Sequence, residues 1–404
     1  MFTWIKRCLA VTVGAASLVA GAWGYLYHQL PDTFLVTQGQ TLYLAQMPWL
    51  ESMQESGVAQ ASAVPAGNSY NVTLSAFGHI PIKTVRAVVV NERVVTVCGT
   101  PFGIKMFSQG AMIVGFTDVK QTSGSANPAK SAGLKMGDRI LSIDGVQTST
   151  NEDVAAAIQQ AQGNSVQVLY SRDGQTQQTT LQPIQDKESG NWRAGMWVRD
   201  SSAGIGTLTF VDNNTGVYGG LGHSISDADT GESIALRSGE IAAVTITGYE
   251  SGAAGTPGEL KGRFTSEIAM GDIDANGSTG VYGSFYTVPK GEDMAVAQAQ
   301  EVHEGKAQIL TTIDGNTPHW YTVQIEKVSL TEEDPNRNMV LRVTDTNLLN
   351  TTGGIVQGMS GSPIVQDGKL VGAVTHVLVN DPTRGYGIFA ENMLKTADSV
   401  AEQN

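Results

Sequence analysis

The stretch GGIVQGMSGSPIV, residues 353–365, decides how the second half of this 404-residue chain is interpreted. It places a serine in a Gly-x-Ser-Gly turn, and Pro363 then begins a new apolar run. Glycines permit the curled backbone of such a turn, and a serine hydroxyl becomes a nucleophile when a base and oxyanion donors lie near it. The backbone N–H groups of Gly358 and Ser360 are the candidate donors. The turn alone is also common in ordinary β-structure, so its meaning depends on nearby histidines and acids.

The sequence around this turn is rich in glycine and in short β-like runs. From about Asn191 onward these runs recur with turn residues between them, as in IGTLTFV (205–211) and NMVLRV (338–343). Strands at such spacing indicate an all-β barrel or sandwich. Two packed barrels fit the length.

Two of the six histidines are candidates for a general base. His223 follows GGLG at the end of an apolar strand, where a base would be both rigid and accessible. His376, within VTHVLV, resembles a strand residue packed near the site. The residues alone favour His223 over His376.

Several aspartates compete for the role of the group that orients this base. Asp272 and Asp274 lie in D-x-D-x-N-G, which imitates the start of a calcium loop, but the twelfth position is Gly283 instead of the required Glu. A hairpin turn is therefore the better interpretation of that segment. Asp227 lies only four residues after His223 and is too local to reach the far side of the ring.

Composition excludes several functional classes. The chain is 41% hydrophobic and 16% charged with a net charge of −13, which is typical of a globular protein. An acidic chain without basic clusters argues against binding to nucleic acid. The two cysteines, Cys8 and Cys98, form neither a C-x-x-C motif nor a disulfide framework. Neither a metal nor another cofactor is implied.

The N-terminal segment predicts attachment to a membrane. Residues 8–27 form an uncharged stretch of the length that crosses a bilayer, preceded by Lys6 and Arg7. We therefore expect residues 1–30 to contain a transmembrane anchor with a cytoplasmic N-terminus and extracytoplasmic working domains. A cleaved signal peptide with Ala20-Gly21-Ala22 as its processing site is the alternative. Residues 31–70 are predicted to be a linker, in which 51–70 is a possible self-cleavage region.

Residues 71–96 are expected to be a β-rich connecting segment, followed by a separate module at 97–186. The module contains AGL-x-x-GD-x-I-x-x-I-x-G at 132–145, and a helix that begins at the N-cap Thr150. This pattern resembles the PDZ domain, whose loop before the second strand binds a peptide carboxylate through backbone N–H groups. Phe102, Gly103 and Ile104 are the candidates for that loop, and a plain strand-entry turn is the alternative.

A closer resemblance extends over nearly the whole chain. It is carried by the segments GGLGHSISDADTGE (219–232), PGELKGRF (257–264) and TDTNLLNTTGGIVQGMSGSPIVQDGKLVGAVTHVLVNDPTRGYGIF (344–389). These are similar to the stage IV sporulation protein B serine peptidases of endospore-forming bacteria. The resemblance implies a mostly β fold with an N-terminal transmembrane helix, a PDZ-like α/β module and a trypsin-like double β-barrel peptidase domain at 187–404.

The resemblance also implies roles for three residues. Ser360 matches the nucleophile, His223 the base, and Asp345 the acid that orients the imidazole. Asp345 stands only 15 residues before Ser360, whereas the acid of trypsin-like enzymes usually lies nearer the middle of the interval between base and nucleophile.

Members of this family act in the space between forespore and mother cell. There they cleave themselves and a regulatory subunit of an intramembrane protease complex, and so trigger processing of a late sigma factor. Two alternatives remain open from the sequence: an inactive PDZ adaptor, and a PDZ-containing quality-control protease.

Overall fold

The computed structural model describes residues 17, 20–54, 64–122 and 124–403, which form a mostly β structure. The predicted membrane span at 8–27 falls largely outside the described residues. Within them, residues 20–29 are helical, and no described helix is both long and apolar enough to cross a membrane.

A four-stranded sheet follows this helix. Its strands are β1 (Thr33–Thr37), β2 (Leu50–Gln54), β3 (Ser69–Ala76) and β4 (Ile80–Val90). The order is β1-β4-β3-β2, with β1 parallel to β4. Alternate residues of β3 are buried, as expected for a strand with one face on a core that includes Leu30, Phe34 and Leu74. The predicted linker at 31–70 is therefore wrong for residues 31–54, because their apolar side chains help to build this sheet.

The first barrel begins next, with β5 (Val94–Val97) and β6 (Pro101–Phe116). Strand β6 is long enough to belong both to the first barrel and to a second, inserted module. Its first half pairs with barrel strands, and residues 111–116 belong to an inserted module, residues 109–200.

The inserted module has its own core. Its elements are β7 (Val119–Gln121), β8 (Gly124–Ala126), α1 (Pro128–Ser131), β9 (Arg139–Ile143), β10 (Val146–Gln147), α2 (Asn151–Ala161), β11 (Val166–Arg172), β12 (Gln175–Leu181), β13 (Ile184–Gln185) and β14 (Trp192–Arg193). Helix α2 confirms the sequence prediction, because Thr150 and Asp153 form a reciprocal capping box and Val154 and Ile158 are buried.

The chain then returns to the first barrel. The returning strands are β15 (Met196–Asp212), β16 (Val217–Gly220), β17 (Leu236–Glu250), β18 (Glu259–Gly277), β19 (Gly280–Phe285) and β20 (Glu292–Ala295). The hydrogen-bonded order β6-β17-β18-β19-β16-β15 closes because β15 pairs back onto β6. The predicted boundaries at 97 and 187 are thus corrected: the module does not precede the barrel but interrupts it after its first long strand.

A second closed barrel completes the fold. Its elements are β21 (Gly305–Thr311), β22 (His319–Val328), β23 (Met339–Val343), α3 (Thr346–Thr352), β24 (Pro363–Gln366), β25 (Lys369–Val377) and β26 (Arg384–Phe389). The strand order is β21-β22-β23-β26-β25-β24. A short 3-10 helix, Ala299–Glu301, precedes it, and helix α4 (Ala390–Ala401) follows it. The double barrel predicted from the sequence is present.

Candidate active site

The predicted nucleophile and base come from different barrels, and the loops that carry them are in contact where the barrels touch. Ser360 lies in the serine loop, residues 357–362, just before β24, and His223 lies in the histidine loop, residues 221–235, just after β16. A Cβ atom on Gly361 would lie 1.9 Å from the carbonyl oxygen of Thr207 and 2.5 Å from the amide nitrogen of Leu221. Only glycine permits so close a contact between the two loops.

Strand β25 forms the floor beneath both side chains. The hydroxyl of Ser360 donates a hydrogen bond of 2.6 Å to the carbonyl oxygen of Thr375. Gly222 packs on the same residue, since a Cβ there would lie 2.9 Å from the Thr375 methyl group. Ser360 and Gly222, the residue before His223, therefore both contact Thr375. In this state the serine hydroxyl is held by a main-chain acceptor.

The tautomer of His223 follows from the one hydrogen bond that its ring forms with the described residues. Its Nδ1 lies 2.8 Å from the carbonyl oxygen of Ser224. A carbonyl can only accept, so Nδ1 carries the proton and Nε2 keeps the lone pair. Burial lowers the pKa of His223, although the Ser224 carbonyl partly opposes this effect. The ring is thus neutral near pH 7, with Nε2 available to take a proton.

His376 is the second imidazole of this site. Its ring centroid lies 4.6 Å from that of His223, with the ring planes tilted by 33°. Burial, the neighbouring His223 and the positive charge of Arg337 lower the pKa of His376 to about 4. Its Nδ1 has no hydrogen-bond partner among the described residues. His376 is therefore a neutral ring that covers one side of His223.

Two backbone N–H groups of the serine loop, those of Gly358 and Ser360, point away from the hydrogen bonds that hold the loop in place. The carbonyl oxygen of Gln357 accepts from the Leu260 amide at 2.8 Å, and that of Met359 accepts from the Ser362 hydroxyl at 2.6 Å. Because each peptide is planar and trans, the N–H groups of Gly358 and Ser360 point the opposite way. Neither has an acceptor within the described part of the chain. Gly358 adopts a φ of +95°, which favours glycine.

Asp345 does not join this cluster. It is the N-cap of α3, where its Oδ1 accepts hydrogen bonds from the amides of Asn347 (3.0 Å) and Leu348 (3.2 Å). Its Oδ2 faces the amide of Thr322 at 3.4 Å. The expected pairing of Asp345 with His223 is therefore not found. This carboxylate instead accepts hydrogen bonds from N–H groups at the start of a helix that have no partner within the helix.

The other aspartates are also engaged elsewhere. Asp272 accepts from the hydroxyl of Tyr286 at 2.9 Å, and Asp227 forms an ion pair with Arg199 at 2.7 Å. The D-x-D-x-N-G segment, predicted to be a hairpin turn, instead forms the last residues of β18, and the turn to β19 follows it at 278–279. Within the described residues no carboxylate hydrogen-bonds to the imidazole of His223. Its partner is the Ser224 carbonyl, which no sequence motif indicated.

The candidate carboxylate-binding loop is likewise not where the sequence placed it. Phe102, Gly103 and Ile104 lie inside β6, and both apolar side chains are buried in the first barrel. A Cβ on Gly103 would lie 2.3 Å from the ring of Phe264, so this glycine serves packing. The loop prediction is wrong, because the alternation of the strand continues through these residues. The inserted module instead leaves residues 196–199 of β15 paired on one side only, near α2.

Parts of this chain are similar to known proteins. The sequence profile of the PDZ domain matches residues 103–182. The PDZ domain of an SdrC-like protein from Listeria monocytogenes is 21% identical and aligns with 22% of this chain and 87% of its own, with a TM-score of 0.19. The Rv3671c protease from M. tuberculosis, in its active form, is 11% identical over 50% of this chain and 74% of its own, with a TM-score of 0.28.

The profile described as SpoIVB peptidase S55 matches residues 190–394, about half of the chain. This range contains both His223 and Ser360, whose loops are in contact at the barrel interface. The protein is a serine peptidase and belongs to the SpoIVB peptidase S55 family.

Proposed function

We propose that this protein is a membrane-anchored signalling endopeptidase that uses Ser360 as its nucleophile and His223 as its base. By resemblance to its family, it cleaves itself and a regulatory subunit of an intramembrane protease complex, and thereby triggers processing of a late sigma factor. The observation that carries the proposal is that the loops of His223 and Ser360 contact each other and β25 at one barrel interface, where His223 is neutral and two backbone N–H groups of the serine loop have no acceptor among the described residues.

The geometry supports a specific order of events. The Ser360 hydroxyl leaves the Thr375 carbonyl, gives its proton to Nε2 of His223 and attacks the substrate carbonyl carbon. The N–H groups of Gly358 and Ser360 stabilise the resulting oxyanion, an effect worth about 10²–10³ in rate for each donor. The imidazolium of His223 keeps its Nδ1–H on the Ser224 carbonyl, and then protonates the leaving amine.

The membrane attachment in this proposal is supported by aromatic residues at the C-terminal end of the apolar run. On the helical residues 20–29, Trp23 and Tyr25 are 44% and 66% exposed. Aromatic side chains of this kind are enriched at the interface between a bilayer and water. The Trp23 indole donates to the carbonyl oxygen of Pro81 at 3.3 Å, which ties this helix to the N-terminal sheet. We place the working domains outside the cytoplasm, in the space between forespore and mother cell.

Self-cleavage fits the segment between β2 and β3. Residues 50–54 form strand β2, and residues 55–63 lie outside the described part of the chain. We propose that the cut falls within 55–70. A cut there leaves the anchor on the N-terminal fragment and releases the rest of the chain from the membrane.

The inserted module is proposed to regulate the peptidase by binding a peptide at the open edge of β15. Arg199, on this edge, forms ion pairs with Asp227 (2.7 Å) and Asp229 (2.6 Å) of the histidine loop. The Asp227 side chain is almost fully buried, so its charge depends on this partner. A peptide that moves the edge strand would therefore move the loop that carries His223.

The first experiment tests the nucleophile in the full chain, solubilised in detergent. Wild type, Ser360→Ala and the exposed control Ser125→Ala are treated with a serine-reactive fluorophosphonate, and self-cleavage is followed on gels. Labelling and trimming in wild type and in Ser125→Ala, both lost in Ser360→Ala, would support the proposal. If folded wild type neither labels nor trims, the inactive adaptor becomes the better interpretation.

Two further measurements test the narrower claims. Cleavage of the regulatory subunit at a few sites without degradation of casein supports a signalling role, whereas broad cleavage of casein favours a quality-control protease. Arg199→Gln is expected to change the labelling rate at least about fivefold, and the matched Arg193→Gln, which removes a more exposed arginine of the module, is not. Equal rates in the two variants would contradict the proposed coupling.

A further inference from the structure

The His223 ring is oriented by a peptide group, and the structure shows what holds that peptide. The Ser224 carbonyl that accepts from Nδ1 of His223 shares one planar unit with the N–H of Ile225. This N–H donates a hydrogen bond of 2.8 Å to Oδ1 of Asn276. A continuous path therefore runs from the Asn276 amide through one peptide to the imidazole.

The side chain of Asn276 is fully engaged with the histidine loop. Its Nδ2 donates to the carbonyl oxygens of Ile225 and Ile234, each at 3.0 Å. Both carbonyls can only accept, so the amide orientation is fixed and Oδ1 must face the Ile225 N–H. The backbone of Asn276 is itself held in the β18–β19 hairpin opposite Val281. The loop that carries His223 is thus clamped to a rigid strand end of the same barrel.

The physical effect of this clamp reaches the reacting nitrogen. An acceptor on the N–H side of a peptide polarises the unit and makes its carbonyl oxygen a better acceptor. The Ser224 carbonyl then holds the proton on Nδ1 more firmly, which leaves Nε2 free for the Ser360 proton and stabilises the imidazolium that follows.

We propose that Asn276 is a positioning residue that does, through the Ser224–Ile225 peptide, what a carboxylate does in other serine peptidases. The inference rests on the proposed role of His223 as the base. It accounts for the absence of a carboxylate hydrogen bond to His223 within the described residues. It also assigns a task to the asparagine of D-x-D-x-N-G.

The test measures the tautomer of His223 directly. The full-length protein is labelled with ¹⁵N-histidine in the Ser360→Ala background, and the His223 signals are assigned with His223→Gln. In the parent we expect the Nδ1–H tautomer. Asn276→Ala is expected to give a mixture with the Nε2–H tautomer and to lower the pKa of His223. Asn91→Ala, an exposed asparagine between two strands, is the control and should change neither.

A second variant separates positioning from folding. Asn276→Asp keeps an oxygen facing the Ile225 N–H and adds negative charge, so the pKa of His223 should rise instead of fall. With an active Ser360, Asn276→Ala should lower the maximal labelling rate about tenfold, with little change in the reagent concentration at half-saturation. Unchanged tautomer and pKa in Asn276→Ala would overturn the inference, even if thermal stability fell. Because the tautomer is read without activity, this outcome is distinct from a failure of Ser360 to label.

Discussion

Acidification is expected to destabilise the protein through His376, which packs on the ring of His223. The pKa of His376 is lowered from 6.5 to about 4, mainly by burial and by the adjacent His223. Below pH 6.5 the unfolded chain binds a proton at this residue, whereas the folded chain does so only near pH 4. The free energy of unfolding should therefore fall as the pH decreases from 6.5 to 4, and this contribution should be constant outside that window.

The size of the effect follows from the same two values. A difference of 2.5 pH units, 6.5 minus 4, corresponds to about 3.4 kcal/mol at 1.36 kcal/mol per unit. The ring is partly exposed, and solvent screening reduces this figure. We expect a loss of about 1–2 kcal/mol between pH 7.5 and pH 4.5 from this residue alone.

The assay compares two variants in the Ser360→Ala background, which removes the proposed self-cleavage. His376→Phe keeps an aromatic ring beside His223 but cannot bind a proton. Urea unfolding at pH 7.5 and 4.5 should show a smaller acid-dependent loss in His376→Phe than in the parent, by about 1–2 kcal/mol. Proton NMR of the parent should show His376 titrating near pH 4.

His303 provides a control, because its contribution to stability depends on pH in the opposite direction. The Glu304 carbonyl and Asp367 raise the pKa of His303, so its contribution is fully present below pH 6.5 and is lost as the pH rises through the folded value. His303→Gln should therefore lose more stability at pH 4.5 than at pH 7.5. The reasoning about His376 is refuted if His376→Phe shows the same acid-dependent loss as the parent, or if His376 titrates near pH 6.5.

Three further substitutions test the placement of residues. Asp345→Ala should lower stability by about 1 kcal/mol through loss of a helix cap, yet leave the fluorophosphonate labelling rate of the folded protein unchanged; a large loss of labelling would restore Asp345 to the active site. Gly103→Ala should lower the free energy of unfolding by about 1–3 kcal/mol, because the added Cβ would overlap the Phe264 ring. Peptide binding by the inserted module should not be lost in this variant. Arg93→Ala should cost about 3 kcal/mol in urea unfolding, since the fully buried carboxylate of Asp212 would lose its partner at 2.7 Å; a cost below 1 kcal/mol would mean that water or Asp212 protonation compensates.

Several elements could be predicted because their causes are local in sequence. The capping box of Thr150 and Asp153 involves residues three apart, and it begins α2 as expected. The glycines of the serine loop indicated a curled turn before a strand, and Gly358 and Gly361 do adopt positive φ values. Short apolar runs with turn residues between them indicated barrel strands, since alternation and turn chemistry are properties of neighbouring residues.

Other features depend on contacts that the order of residues does not reveal. Strand β6 runs unbroken from Pro101 to Phe116, so nothing in its pattern marks the point where the barrel ends and the inserted module begins. Residues 31–54 are predicted from the sequence to belong to a linker, yet widely spaced apolar side chains such as Phe34 and Leu44 complete a core with strands 69–90. Burial of this kind is decided by the partner surface and not by local composition.

The sequence by itself determined that a serine in a glycine loop and a histidine at a strand end belong to one double-barrel peptidase. Only the tertiary structure decided what surrounds that pair. Asp345 caps a helix, whereas Asn276, 53 residues after His223, fixes the peptide that orients its ring. The physical reason is that hydrogen bonds to a peptide plane depend on direction and on distances of about 3 Å. These are set only when the first barrel closes and brings β18 beside the histidine loop.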